Sequence, residues 1–488
     1  MPAPHEEAAD PRRYLVLAVV TLVAFVTNLD ATIVVVALPR LVASLHTTVT
    51  TGLWTVTAYV LSTTVFLLPA GRFSDGAGRR GTFVAGLVLF AAGTVACGVA
   101  TSGGELVVLR FVQGAGGALG VATGTPILAE TFPRRELGRA IGLYSMAWVL
   151  GSIIGPIAGG AIVDSLGWRW IFFATAPFAV AGAVLGVVVL RPDRRRPLPR
   201  LDWTGMAAFA LALTALLLAL TEGFAWGWGS PRVVGLLVVA LGALGAFAAV
   251  ERRAGAPLFD LALLASRTYR RGLVVVVCYA TAFFATTFLL TFYLQGSLGL
   301  TPLHAGLLLI PLSAPQILLA PAGGHLADRL GPLRPMVAGL VLLGVAAVWC
   351  SRLSSMGSPL DVIAPLLLMS AANGLAWPGL VKAVLQTVSP ERSGVASGMF
   401  FTLRSLGTAL SFTLALVVAE ASLPRAVALR IYLGTERVIG AGQTRALARA
   451  TDAGFLAFAA LYLVAVVVAC GLYRRDRGRP AGAAAAGE

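Results

Sequence analysis

Two residues of opposite charge lie well inside apolar stretches of this sequence, Asp30 in the run from Tyr14 to Leu38 and Arg110 in the run from 105 to 128. Charge at such depth in a hydrophobic segment must be paired, hydrated or titrated, and it marks function by default. Asp30 comes 16 residues after Tyr14, about 24 Å along a helix. Arg110 lies six residues into its own run, about 8 Å from the start of a helix running the other way. With the first helix entering from the cytoplasm and the other from outside, the two side chains stand at similar depth. An acid facing an arginine is the minimum machinery of a proton switch: paired, the carboxylate keeps its charge, and separated by a ligand or a helix shift it takes up a proton. A static ion pair that only orients helices is the other reading of the same residues.

A second intramembrane cation is Arg404, with no acid in its own apolar run before Glu420; it binds an anionic substrate group or satisfies carbonyls. Polar and aromatic residues placed to line a substrate cavity are Trp54, Tyr59, Gln113, Tyr144, Trp148, Phe284, Tyr293, Gln316, Asn373, Trp377, Phe401 and Arg404. Of these, Asn373-Gly374-Leu-Ala-Trp377-Pro378 stands out, because Gly and Pro can interrupt a helix and free carbonyls. The only lysine, Lys382, is not in a G-x-x-x-x-G-K-[ST] loop, so no nucleotide engine is present and an ion gradient must drive any uphill work. Cys97, Cys278, Cys350 and Cys470 share no close spacing, which gives neither a disulfide framework nor a metal site. No cofactor is called for, and the chemistry is not that of an enzyme.

The elements that must position these residues are membrane helices. Hydrophobic residues make up 58% of 488 and charged ones 12%, too apolar for a soluble chain and enough, at ~20 residues per span, for roughly fourteen spans. Fourteen apolar segments are present, and the arginines cluster in alternate connections, placing both termini in the cytoplasm. The stretch from Tyr14 to Leu38 is too long for a signal peptide. An excess of 37 basic over 22 acidic residues therefore reports topology and not a nucleic-acid partner. Glu130, Asp164 and Glu420 fall at segment ends, where solvation accounts for them.

Internal repeats organise the segments. Gly71-Arg-Phe-Ser-Asp75-Gly-Ala-Gly78 returns as Gly324-His-Leu-Ala-Asp328-Arg-Leu-Gly331, 253 residues later, and Gly138, Gly142 and Gly151 return as Gly394, Gly398 and Gly407, 256 residues later. Such offsets predict an all-α membrane protein of two pseudo-symmetric six-helix bundles, 14–190 and 271–473. A linker, 191–270, carries two inserted helices (203–222 and 233–250), and the tails are 1–13 and 474–488.

Four motifs, in order and on the expected helices, resemble those of the major facilitator superfamily, specifically its fourteen-helix drug:proton antiporter branch. They are Asn28-Leu-Asp30-Ala-Thr-Ile-Val-Val-Val-Ala-Leu-Pro39, Gly71-Arg-Phe-Ser-Asp75-Gly-Ala-Gly78-Arg79-Arg80, Leu109-Arg110-Phe-Val-Gln113-Gly114, and Gly151-Ser-Ile-Ile-Gly155-Pro156-Ile-Ala-Gly159-Gly160. The resemblance implies a cytoplasmic latch, made of Gly71, Asp75, Gly78 and Arg79, in which Gly71 lets segment two (50–70) approach segment thirteen (394–420), Asp75 sits near the positive N-terminal end of segment thirteen and Arg79 locks the loop. It also implies that the glycine stripe, with Pro156 as a kink, seals the two halves externally against segment ten (303–323) near Gly306. The expected function is proton-coupled antiport of small amphipathic organic compounds by a monomer in the cell membrane. A nutrient symporter of the same fold and a non-transporting sensor or scaffold are the rivals.

Overall fold

The computed structural model describes residues 11–47, 49–133, 135–192, 202–253, 261–300, 302–355, 358–389, 392–420, 427 and 441–476. Outside this set lie Arg134, residues 193–200, residues 421–440 apart from 427, and those from 477 on; the side chain of Pro156 is also outside it.

Helices account for nearly all described residues. The first eight are α1 (Arg13–Ser44), α2 (Val49–Ala77), α3 (Arg79–Val99), α4 (Gly103–Thr131), α5 (Leu137–Ser165), α6 (Trp170–Val189), α7 (Trp203–Trp226) and α8 (Pro231–Glu251). After a short helix, Leu261–Ala265, come α9 (Arg267–Phe292, continued by a π turn, Tyr293–Ser297), α10 (Pro302–Ser313), α11 (Gln316–Leu330), α12 (Leu333–Cys350), α13 (Ile363–Leu385), α14 (Ser393–Glu420) and α15 (Ala441–Asp476). Segment ten of the sequence is thus two helices, α10 and α11, meeting at Ala314-Pro315. Among the described residues thirteen helical stretches are long and apolar enough to cross a membrane, and the chain is a multi-pass membrane protein. The seventh segment differs from expectation: its apolar part, Thr204–Leu220, is shorter than the others.

Two compact units form. One comprises Met1–Ala219, Gly229–Leu261 and Val388–Thr402, and the other Leu220–Trp228, Ala262–Thr387 and Leu403–Glu488. In the first, α2 and α3 pack on α4, α1 on α5, and α6 on α3 and α1. In the second, α12 and α11 pack on α13, and α15 packs on α9 and α12.

Small residues set these packings. A Cβ on Gly86 of α3 would lie 2.9 Å from the Gly116 carbonyl and 3.0 Å from the Gly120 amide, so α3 and α4 touch backbone to backbone. Gly339 of α12 meets the Ala372 carbonyl and the Ala376 amide of α13 in the same way, 253 and 256 residues later. Gly151 of α5 rests on the Phe25 carbonyl and Leu29 amide of α1, and Gly407 of α14 on the Val277 carbonyl and Thr281 amide of α9. Gly78 and Gly331, also 253 apart, turn the chain at φ 103° and 81°, a region open to glycine and strained for other residues.

Candidate functional site

α4 starts at Gly103 because Ser102 caps it. The Ser102 hydroxyl accepts from the Glu105 amide at 3.2 Å, while the Glu105 carboxylate accepts from the amide and hydroxyl of Thr101, both at 2.8 Å. An N-cap of this kind satisfies donors that a helix start leaves open, and it fixes the register that carries Arg110 into the first unit. There Arg110 and Asp30 are both fully buried and joined by a 2.5 Å ion pair from Nη1 to Oδ2. Around them is a dense polar shell. Arg110 Nη1 also donates to Gln113 Oε1 at 2.6 Å and Nε to the Thr55 carbonyl at 3.0 Å. Gln113 Nε2 donates to Asp30 Oδ1 at 2.9 Å and to the Thr94 hydroxyl at 2.7 Å. The guanidinium carbon sits 4.3 Å from the centroid of the Tyr59 ring, and the Tyr59 hydroxyl donates to the Thr27 carbonyl at 3.1 Å. Gln113 and Tyr59, read from the sequence as cavity residues, are instead the walls of the ion pair, because their helix positions put them on the α2/α4 face that packs inward. Thr94 was missed, since nothing distinguishes a buried threonine in an apolar helix from the many that bond their own carbonyls, and Thr55 takes part through its backbone carbonyl, which no side-chain type announces.

The motif on α1 divides between two faces. Asn28 and Thr32, one turn apart, face α5: Asn28 Nδ2 donates to the Trp148 carbonyl and the Thr32 hydroxyl to the Gly151 carbonyl at 3.1 Å. Asp30, about 200° around from Asn28, faces α4. Gly155 and Gly159 continue the α5 contact, where any Cβ would strike Thr32 and Ile33. The stripe expected to press on segment ten near Gly306 therefore makes its close contact with α1, inside one unit; a Cβ at Gly306 or at Gly160 would meet nothing within 4 Å. A stripe of glycines announces a close approach, not the helix that makes it. Tyr144 and Trp148 meet edge to face at 6.5 Å on α5, and Trp54 is half-buried on α2.

At the α2–α3 turn, the Asp75 carboxylate accepts from the backbone amides of Gly394 and Val395, at 2.9 and 2.8 Å, and so caps the first turn of α14. A Cβ on Gly71 would collide with the Gly394 carbonyl. Arg79, nearly buried, donates to the Ser393 hydroxyl at 2.7 Å and the Pro126 carbonyl at 3.2 Å, and pairs with Asp75 at 3.6 Å and Glu130 at 2.6 Å. Glu130, assigned to plain solvation above, is thus a counter-ion of Arg79.

The second unit gathers another set. The Tyr279 hydroxyl donates to Asn373 Oδ1, Asn373 Nδ2 donates to Gln316 Oε1 at 2.9 Å, and Gln316 Nε2 donates to the Leu312 carbonyl at 2.7 Å. Tyr279 stacks on Trp377 at 5.7 Å, and the Arg404 guanidinium carbon is 5.1 Å from the Trp377 centroid and 5.5 Å from that of Phe284. Five sequence candidates, Phe284, Gln316, Asn373, Trp377 and Arg404, come together here with Tyr279, which no local signal had separated from other membrane aromatics. Tyr293 does not join them; its hydroxyl donates to the Leu353 carbonyl at 2.8 Å from the π turn. Phe401 is buried edge to face against Phe400 at 5.3 Å. A further buried pair, Lys382 Nζ with Asp328, joins α13 to α11. Among the described residues no group of three or more His, Cys, Asp or Glu side chains is arranged to hold a metal.

Known proteins resemble the chain in sequence and in fold. The chain is 33% identical over 430 residues to the tetracenomycin C resistance and export protein of Streptomyces glaucescens, covering 85% of this chain and 80% of that one. It is 27% identical over 414 residues to the multidrug transporter protein MdtP of Bacillus subtilis, covering 84% and 76%. In fold it matches the human organic anion transporter MFSD10 (TM-score 0.64, 19% identity, 94% of this chain and 100% of that one). The proton:xylose symporter XylE matches at TM-score 0.64 and 14% identity, over 93% and 94%. With the model of the Major Facilitator Superfamily matching residues 20–412 and 272–488, the chain belongs to that superfamily of transporters and is not an enzyme.

Proposed function

We propose that this transporter exports amphipathic organic compounds in exchange for protons, by alternating access of two duplicated six-helix halves in the cell membrane. It belongs, on this reading, to the fourteen-helix drug:proton branch. It acts as a monomer with both termini in the cytoplasm, driven by the proton gradient without a cofactor. The repeated glycine contacts support duplication. α7 serves as the fourteenth span because its helix continues to Trp226. Relatives named for tetracenomycin C resistance and export and for multidrug transport support an organic substrate moved outward.

One observation carries the proton assignment. In the register that those glycine contacts define, Asp30, Arg110, Gln113 and Thr94 correspond to Ala282, Leu366, Met369 and Ala347, every one fully buried and apolar or small. The same helix packing thus exists in the second unit with no ion pair at that place. Replacing a buried ion pair by well-packed apolar residues is often neutral or stabilising, so folding gives no reason to keep a charged network in the first unit. Proton exchange does. Asp30 carries the proton, Arg110 holds the ionised carboxylate, and Gln113 and Tyr59 keep the guanidinium in place while the carboxylate is neutral.

Substrate-elicited proton movement from purified protein in weak buffer tests the reading. Antiport predicts release of protons on adding an exported compound, a symporter predicts uptake, and a scaffold predicts neither.

A further inference from the structure

Unit two carries chemistry that its packing does not require. By the same register, Tyr279, Asn373, Trp377 and Arg404 correspond in the first unit to Thr27, Gly117, Val121 and Trp148. Helices pack alike in both places, yet the four corresponding positions of the first unit hold no cation, no amide and no phenol. The hydrogen-bond chain from Tyr279 through Asn373 to Gln316 fixes the Tyr279 ring, and that ring backs Trp377. Arg404 then lies against the rings of Trp377 and Phe284, all three half-buried.

Ring faces that flank a guanidinium hold it by cation–π attraction, and its hydrogen bonds run in the plane of the fork, the geometry that matches a carboxylate. Flat aromatic surface beside the fork suits a flat ligand. α9, α10 and α13 contribute no Asp or Glu, and the one acid of α11, Asp328, is paired with Lys382, so a cationic ligand here meets an arginine where a cation site needs an acid. We propose that the second unit binds planar aromatic anions, with the ligand's carboxylate or phenolate on the Arg404 fork and its rings against Trp377 and Phe284. This names the substrate class of the proposed exporter and rests on that reading.

The test uses the purified full-length transporter and three matched probes, 1-pyrenecarboxylate, 1-pyrenemethanol and 1-pyrenemethylammonium, with binding read by quenching of tryptophan emission at fixed pH and no gradient. The carboxylate is expected to bind about tenfold or more tighter than the alcohol, as a charge-assisted fork contact allows, and the ammonium weakest. Arg404→Gln brings the carboxylate to the level of the alcohol. Arg404→Lys, which keeps the charge, retains the order with a narrower gap and serves should the Gln variant fail to fold. Equal affinities in wild type, tightest binding of the ammonium, or an unchanged order in a folded Arg404→Gln protein overturns the proposal. Tight carboxylate binding without proton release would leave this site standing and sink the antiport reading; proton release on binding the ammonium alone would do the reverse.

Discussion

The Thr32 hydroxyl donates to the Gly151 carbonyl across 3.1 Å, tying α1 to α5 one turn from the position where Gly155 leaves no room for a Cβ. Because α1 also carries Asp30 on its other face, the α1–α5 contact fixes the rotation that aims the carboxylate at Arg110. A leucine at Gly155 or Gly159 must push α1 aside, and forcing bulk into a close-packed contact costs roughly 1–3 kcal/mol or more. The expected outcome is loss of monodisperse protein by size exclusion and a lower melting temperature, with Gly160→Leu, whose site is open, close to wild type. A well-folded Gly155→Leu protein that leaks protons would instead restore a sealing role for the stripe.

Asp75 is both the N-cap and the counter-charge of the first turn of α14. Removing its charge should loosen that turn by ~1 kcal/mol. Hydrogen exchange at the Gly394 and Val395 amides is expected to speed up severalfold in Asp75→Asn. Spin labels at the adjoining ends of α2 and α14 should move apart in Gly71→Val, where the side chain strikes the Gly394 carbonyl. Unchanged exchange and distances, with normal transport, would reduce the motif to a topology anchor.

Lys382 and Asp328 are each about 95% buried, at 4% and 5% exposure. Leaving one charge of such a pair alone typically costs ~3–5 kcal/mol, whereas removing both is close to neutral. Lys382→Met and Asp328→Asn should each lower the melting temperature sharply, and the double variant should recover most of the loss. Additive effects in the double variant would show that the two side chains do not act as a pair.

The sequence carried the motifs and the depth of Asp30 and Arg110, because charge in an apolar run and fixed glycine spacing are one-dimensional signals. That Asp75 meets the start of α14 followed from the resemblance of its motif to that of the superfamily, and not from spacing alone. Side-chain direction was not legible. Gly151, Gly155 and Gly159 make their close contacts with α1, a fact set by how α5 is rotated, and Gln113 turns into the ion pair although its residue type suits a cavity equally well. Lys382 drew notice only for lacking a nucleotide loop, since its partner is 54 residues away. Tyr279 emerges only when Asn373 and Gln316 are brought to it.

The most direct measurement concerns Asp30 in proteoliposomes. Asp30→Asn keeps the shape of the protonated side chain but cannot exchange a proton, and it leaves Arg110 without its counter-ion, so Asp30→Asn with Arg110→Gln accompanies it to recover stability. Uphill movement of substrate driven by an imposed pH gradient is expected to vanish in both variants, while gradient-free exchange of labelled for unlabelled substrate persists in at least one. Uphill transport by the Asn variant at the wild-type rate would contradict Asp30 as the proton carrier.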